Sequence, residues 1–166
     1  MGPEHYNTLG SASNLALSLS KLGECAEAAV LLRTTLAVKT RTIGADDQST
    51  LVTEGNLIHA LRCLGQNAEA EVLGRVTLEK RRRVLGRFHH DTLLTSSNLA
   101  IALSEQGKYA EAAEIKRGVL VSLTRLLGAE HEEMLISMTI LASSPWLCGQ
   151  KTKGEKLRRD AQANEF

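Results

Sequence analysis

Aromatic residues make up only 3% of this 166-residue chain, so the rings that usually anchor a tight protein interface are scarce. Proline is nearly absent, with two residues, and cysteine is little more common, with three. Cys25, Cys63 and Cys148 stand apart in sequence, without the CxxC or Cys/His pairing that a zinc site or redox motif needs. Three lone thiols fit a reducing compartment. No sign of charge dominates: 20 Lys and Arg against 19 Asp and Glu leave a formal net charge of +1. Bulk electrostatics therefore give no ground for a nucleic-acid or membrane partner. No apolar run approaches the roughly 20 residues of a membrane span, and Met1-Gly2-Pro3-Glu4-His5 lacks the charged and apolar regions of a secretory signal. The expectation is a cytoplasmic protein. A hydrophobic content of 43% is enough to fill a core and excludes disorder.

What the chain does have is a repeat. Gly23-Glu24-Cys25-Ala26-Glu27-Ala28-Ala29 returns as Gly65-Gln66-Asn67-Ala68-Glu69-Ala70-Glu71 and as Gly107-Lys108-Tyr109-Ala110-Glu111-Ala112-Ala113, each copy 42 residues from the next. A turn-forming Gly followed by Ala-Glu-Ala marks the end of one helix and the start of another, the Ala side chains permitting close approach. Gly2, Gly44, Gly86 and Gly128 keep the same period, as do Leu9, Leu51, Leu93 and Leu135, and Leu15, Leu57, Leu99 and Leu141. Agreement at both glycine and apolar positions marks units that cannot bury an apolar face alone and must stack. The predicted array runs over repeats 2–43, 44–85 and 86–127, with a degenerate fourth over 128–166.

Within the first unit, Leu9, Ala12, Leu15, Ala16, Leu19 and Leu22 follow helical spacing. They predict a helix A over about residues 8–22, capped by Asn7, with Ser49 and Asp91 in the same place later. Helix B is predicted from about Ala26 to Ile43, with Ala28, Leu31, Leu32, Thr35 and Leu36 inward and Gly44 as the stop. The core is aliphatic throughout. In the fourth unit Pro145 replaces Leu19, Leu61 and Leu103 and should end or kink helix A. Its second helix, roughly Lys153 to Ala163, has the polar character of a terminal cap. The N-terminal end has no such cap, an asymmetry expected of a segment from a longer array or of a self-associating face.

Gly86 with His89, Asp91-Thr92-Leu93, Ser97-Asn98-Leu99-Ala100 and Gly107-Lys108-Tyr109-Ala110-Glu111-Ala112 resemble the tetratricopeptide repeat in its long form, as found in kinesin light chains. The resemblance covers essentially the whole chain. It implies an all-α, right-handed superhelix of antiparallel helical hairpins. Gly74 and Lys116 depart from it where a large apolar residue is usual, and Thr35 and Thr77 replace a usual Ala, so units two and three should pack more loosely.

Motifs for catalysis are weak. His131-Glu132-Glu133-Met134-Leu135 begins like a zinc-protease helix but lacks the second His. His5, His89 and His131 share a phase, which favours a repeated structural role such as bonding a loop carbonyl. His89-His90-Asp91 has no nucleophile beside it. Lys80-Arg81-Arg82-Arg83 falls in the last turns of a helix B, where cations complement the macrodipole, and is expected as a solvated face. No enzyme activity, cofactor or metal is expected.

Asn14, Asn56 and Asn98 recur at one phase of helix A, although Asn is unfavourable inside a helix. Two explanations are open: a structural ladder bonding neighbouring helices, or carboxamides that clamp an extended peptide backbone. The resemblance implies the second, since the matching Asn of kinesin light chain repeats lines the cargo groove. Ser13, Leu17, Ser20 and Lys21, then Val52, His59, Arg62 and Cys63, then Leu94, Ser97, Ile101 and Glu105 are expected on the same face. The expected site is Asn14, Leu17, Asn56, His59, Arg62, Leu94, Ser97, Asn98 and Ile101. It lacks a concentrated Lys/Arg clamp, which favours a peptide with small apolar side chains. The chain is thus expected to be a scaffold that binds a peptide or protein partner in the groove of the A helices, the alternative being a structural element that self-associates.

Overall fold

The structure, a computed structural model, describes residues 6–127. The features expected of the fourth repeat, together with His5, His131, Pro145 and Cys148, lie outside the described residues. The chain divides into two units, 1–115 and 116–166.

The described residues form six helices and no strand: α1 (Tyr6–Lys21), α2 (Cys25–Thr42), α3 (Gln48–Cys63), α4 (Asn67–Val84), α5 (His90–Glu105) and α6 (Tyr109–Leu127). Helices α1, α3 and α5 are the A helices of the sequence periodicity, and α2, α4 and α6 the B helices. Glycine makes the A-to-B reversals possible. Gly23, Gly65 and Gly107 sit at φ of 88°, 71° and 77°, a region closed to most L side chains. At each, the residue after Gly donates its N–H back to the helix, Glu24 to Leu19 O, Gln66 to Leu61 O and Lys108 to Leu103 O, all at 2.9 Å. The Gly N–H reaches Ser20, Arg62 or Ser104 O. This paired closure satisfies carbonyls that the helix end would otherwise orphan.

The N-caps differ from expectation. Asn7 lies inside α1, and the caps of α3 and α5 are Asp47 and His89, two residues before Ser49 and Asp91. Asp47 Oδ1 accepts the Ser49 N–H at 2.8 Å and His89 Nδ1 accepts the Asp91 N–H at 3.2 Å. Both caps have extended backbone, near φ −65°, which turns the side-chain acceptor back over the first turn. Asp47 and His89 are themselves one period apart, so His89 does have a structural role, accepting an amide proton rather than bonding a carbonyl.

In the first unit, packing follows the Ala-Glu-Ala signature closely. Ala28, Ala70 and Ala112 are buried while Ala26, Ala68 and Ala110 are exposed. The buried methyls fall in two clusters, Ala28 and Ala70 with Leu32, Leu57, Ile58 and Leu61, and Ala112 with Leu78, Leu99, Ala100 and Leu103. Each fully buried Leu or Ile contributes about 1.5 to 3 kcal/mol by leaving water. Leu15, in phase with Leu57 and Leu99, is 55% exposed where they are 4% and 2%. Gly74 is buried, and a Cβ there would meet Leu99 Cδ1 at 3.5 Å, so its surroundings leave room for a methyl. Thr35 and Thr77 are buried, the hydroxyl of Thr35 donating to Leu31 O at 2.7 Å and that of Thr77 to Glu54 Oε2 at 2.9 Å.

Two buried cations join the hairpins, against the expectation that the basic run is a solvated face. Lys39 is 1% exposed and Arg81, one period later, 3%. Lys39 Nζ donates to Ser13 Oγ at 3.1 Å, Ser49 O at 3.2 Å, Ser49 Oγ at 2.8 Å and Thr53 Oγ1 at 2.9 Å. Arg81 donates through Nη1 to Asp91 O at 2.6 Å and Thr95 Oγ1 at 2.9 Å, and through Nη2 to Leu51 O at 2.7 Å. Burial pushes both cations below their ordinary pKa, offset in part by Asp47 for Lys39 and by Asp91 and Glu54 for Arg81. Neutral oxygens solvate them in place of water. The rest of the run divides: Lys80 pairs with buried Glu54 at 2.5 Å, while exposed Arg82 and Arg83 pair with Glu79 and Asp46.

On the outer helices, Arg33 pairs with Glu69 at 2.8 Å and Arg75 with Glu111 at 2.6 Å, the same rung one period on. Glu71 collects Arg75, Lys108 and Gln106 around one carboxylate.

In the second unit the described residues are 116–127, the C-terminal part of α6. There Ser122 and Thr124 hydroxyls donate to Gly118 O and Leu120 O at 2.8 Å. Burial lowers the pKa of Lys116.

Candidate functional site

Helix α3 packs against both α1 and α5, so the three A helices present one series of positions side by side. Leu17, His59 and Ile101, one per helix and in phase, are all half-buried, and Ser97 is likewise. Leu94 and its phase mate Val52 are exposed. Ser13 and Ser20, expected on this face, are buried instead. Ser13 is turned toward Lys39 and Thr53 Oγ1, and the Ser20 hydroxyl has no partner among the described residues.

The three asparagines are graded by their surroundings. Asn14 is exposed, Asn56 half-buried and Asn98 buried. Arg62 on α3 accounts for the last, donating from Nη1 to Asn98 Oδ1 at 2.7 Å. In the preceding unit the position of Arg62 is held by Ser20, whose short side chain makes no such bond. Among the described residues the Asn56 carboxamide has no hydrogen-bond partner. Equivalent residues therefore have different duties: Asn98 ties two A helices together through its oxygen, and Asn56 keeps both its donor and its acceptor uncommitted.

Burial lowers the pKa of the Arg62 guanidinium, an effect opposed by Cys63 and Glu105; its Nε is buried without a partner among the described residues. Burial, then the Arg62 charge, holds the His59 imidazole below its ordinary value. It stays neutral near pH 7, with Nδ1 3.9 Å from Cys63 Sγ. The centre of the face therefore combines a neutral ring, one constrained cation and two kinds of carboxamide.

The Arg62–Asn98 bond was missed in the sequence. Its separation of 36 residues is shared by Arg33–Glu69 and Arg75–Glu111, so complementary polar residues at that spacing are the signal that could have found it. Among the described residues no group of three or more His, Cys, Asp or Glu side chains could hold a metal ion, and no helix is long and apolar enough to cross a membrane.

Two family models of the tetratricopeptide repeat match the chain, one over residues 8–49 and the other over 49–120. Among curated proteins no match is found. A crystal structure of nearly identical, kinesin light chain TPR-like repeats from Podosopora anserina is 27% identical, with a TM-score of 0.83 over 98% of this chain and 78% of that one. A variant of the same repeats gives 26% identity and a TM-score of 0.82 over 100% of this chain and 79% of that one. The period of 42, the glycine-closed hairpins and these matches agree: the chain belongs to the tetratricopeptide repeat family, with an all-α fold and repeats similar to those of kinesin light chain.

Proposed function

We propose that the chain is a non-catalytic, cytoplasmic protein-interaction module that holds an extended peptide across α1, α3 and α5. Tetratricopeptide repeats generally mediate protein–protein interaction, which supplies the class. The observation that carries the finer reading is the uncommitted carboxamide of Asn56, which shares α3 with half-buried His59 and exposed Val52, while half-buried Leu17 and Ile101 and exposed Leu94 hold the matching phases on α1 and α5. A carboxamide can accept from and donate to a peptide backbone at once, and the apolar positions favour small aliphatic side chains on the ligand. Asn98, with its oxygen given to Arg62, contributes only its amide N–H groups. Arg62 and Ser97 border it, and Asn14 lies at the outer edge.

The test compares Asn56→Ala with Asn98→Ala, each measured for thermal melting and for binding of peptides selected from an extended-peptide library. Asn56→Ala should leave melting unchanged and weaken binding by about 0.5 to 1.5 kcal/mol. Asn98→Ala should lower stability, because Arg62 loses its acceptor. Unchanged affinity in Asn56→Ala would remove Asn56 from the site.

Self-association is the second reading, supported by the exposure of Leu15 where its phase mates are covered. Sedimentation of wild type and Leu15→Gln across a range of concentrations tests it. A mass that grows with concentration only in the wild type supports self-association through this face.

A further inference from the structure

One face of α1 is open where the matching faces of α3 and α5 are covered. Ser11, Leu15 and Ser18 follow one another at helical spacing and are all exposed. The same phases are held by Thr53, Leu57 and Ala60 in α3 and by Thr95, Leu99 and Ala102 in α5, none of them more than 4% exposed. What covers these faces is the B helix of the preceding hairpin: α2 packs on α3 and α4 on α5, with Lys39 against Thr53 and Gly74 against Leu99.

The polar contacts of those two joints define what fits the open face. At each, the covering helix gives a cation to a hydroxyl and to a carbonyl four residues before it. Lys39 goes to Thr53 Oγ1 and Ser49 O, and Arg81 to Thr95 Oγ1 and Asp91 O. The receiving hydroxyl itself donates to that carbonyl, at 3.0 Å in α3 and 2.9 Å in α5. In α1, Ser11 Oγ donates to Asn7 O at 2.9 Å, so the same acceptor pair is formed there. A second contact runs beside the first. Six residues before each cation the covering helix carries Arg33 or Arg75, which pairs with Glu69 or Glu111 of the next hairpin. Glu27 holds that phase in the first hairpin, exposed and with no ion pair among the described residues. In both contacts the donor lies on the covering helix and the acceptor on the covered hairpin, so the open face calls for a basic helix. A second copy of the chain fits poorly. Its α2 and α4 have their cations engaged, and α6 has Leu123 at that phase.

We propose that the open face of α1, with Glu27 of α2, docks an amphipathic helix of a partner protein that bears two basic residues six positions apart. Ser11 Oγ and Asn7 O receive the second of them, Glu27 receives the first, and Leu15 supplies the apolar contact between. The site uses none of the groove residues named above, and it differs from self-association, which draws on the same leucine, in its occupant.

The probe is a labelled peptide of residues 67–86, the sequence of α4, stapled between positions 72 and 76, both exposed in α4. The staple removes most of the cost of forming the helix. Fluorescence anisotropy with the full chain should show saturable binding, with one peptide per chain by sedimentation. Arg75→Ala or Arg81→Ala in the peptide, and Leu15→Asp or Glu27→Lys in the chain, should each weaken binding about tenfold. Both chain variants should keep the wild-type melting midpoint, because both residues are exposed. Asn56→Ala, which tests the groove, should bind the peptide like wild type. Absence of saturable binding, undiminished binding by the Leu15→Asp and Glu27→Lys chains, or loss of binding in Asn56→Ala instead would each overturn the proposal. A wild-type chain already dimeric through Leu15 at the concentrations used would overturn it too.

Discussion

Arg81 occupies the space that a side chain on Gly55 would need: a Cβ built there would stand 2.8 Å from Nη2. One period earlier, shorter Lys39 leaves room for Ser13 and uses its hydroxyl as an acceptor. Gly55→Ser should therefore cost about 1 to 3 kcal/mol, even though Ser is the better helix former. Displacing the guanidinium forfeits its bonds to Leu51 O and Thr95. Combining Gly55→Ser with Arg81→Lys recreates the first joint and should recover most of the loss. Urea denaturation of the two single variants and the double variant measures the coupling, and purely additive losses would show that the two sites do not share this space.

Glu71 should give the chain an acid limb. Lys108, with Arg75 and Gln106, holds its carboxyl at about 2 against an ordinary 4.5, although burial works the other way. The folded value lies below the unfolded one, so the contribution is fully present above about pH 4.5 and is lost as pH falls toward 2. Lys108 and Arg75 are half exposed and screened, so about 1 to 2 kcal/mol is expected. Glu71→Gln should lower stability at pH 7 and flatten the decline between pH 4.5 and 2, as followed by urea midpoints.

Gly74→Ala should stabilise. The residue lies inside α4 at ordinary negative φ, and the new methyl would touch Leu99 at van der Waals distance. Removing a helical glycine is worth about 0.5 to 1 kcal/mol, and a rise in melting midpoint of a few degrees would register it.

Gly107→Val tests the opposite kind of glycine. A β-branched residue at φ of 77° strains the backbone by about 1 to 3 kcal/mol and disturbs the Lys108 N–H bond to Leu103 O. The melting midpoint should fall, and an unchanged midpoint would show that the turn can close another way.

The hairpins were legible because their determinants recur: Gly23, Gly65 and Gly107 had to take positive φ, and Ala28, Ala70 and Ala112 had to fit between helices. The caps slipped by two residues because Ser49 and Asp91 are good cap formers lying in the first turn behind Asp47 and His89. Arg81 was misplaced because a run of four basic residues suggests a wet surface, and helical geometry sends its members to different faces. Lys39 at the same phase, and Leu123 one period further on, mark that position as inward. The grading of the asparagines was hidden because each Asn has the same apolar neighbour, and only Arg62, on another helix, distinguishes Asn98 from Asn56.

The buried cations also define what can be exchanged in this chain. Arg81 needs Gly55 from its own hairpin, as Lys39 uses Ser13, but across the joint both find the same acceptors, a threonine hydroxyl and a backbone carbonyl four residues before it. A transplanted helix would bring the wrong partner to its cation. A transplanted hairpin would carry its match inside and meet a familiar socket, so shuffling or duplication should succeed in whole hairpins of 42 residues and fail in halves.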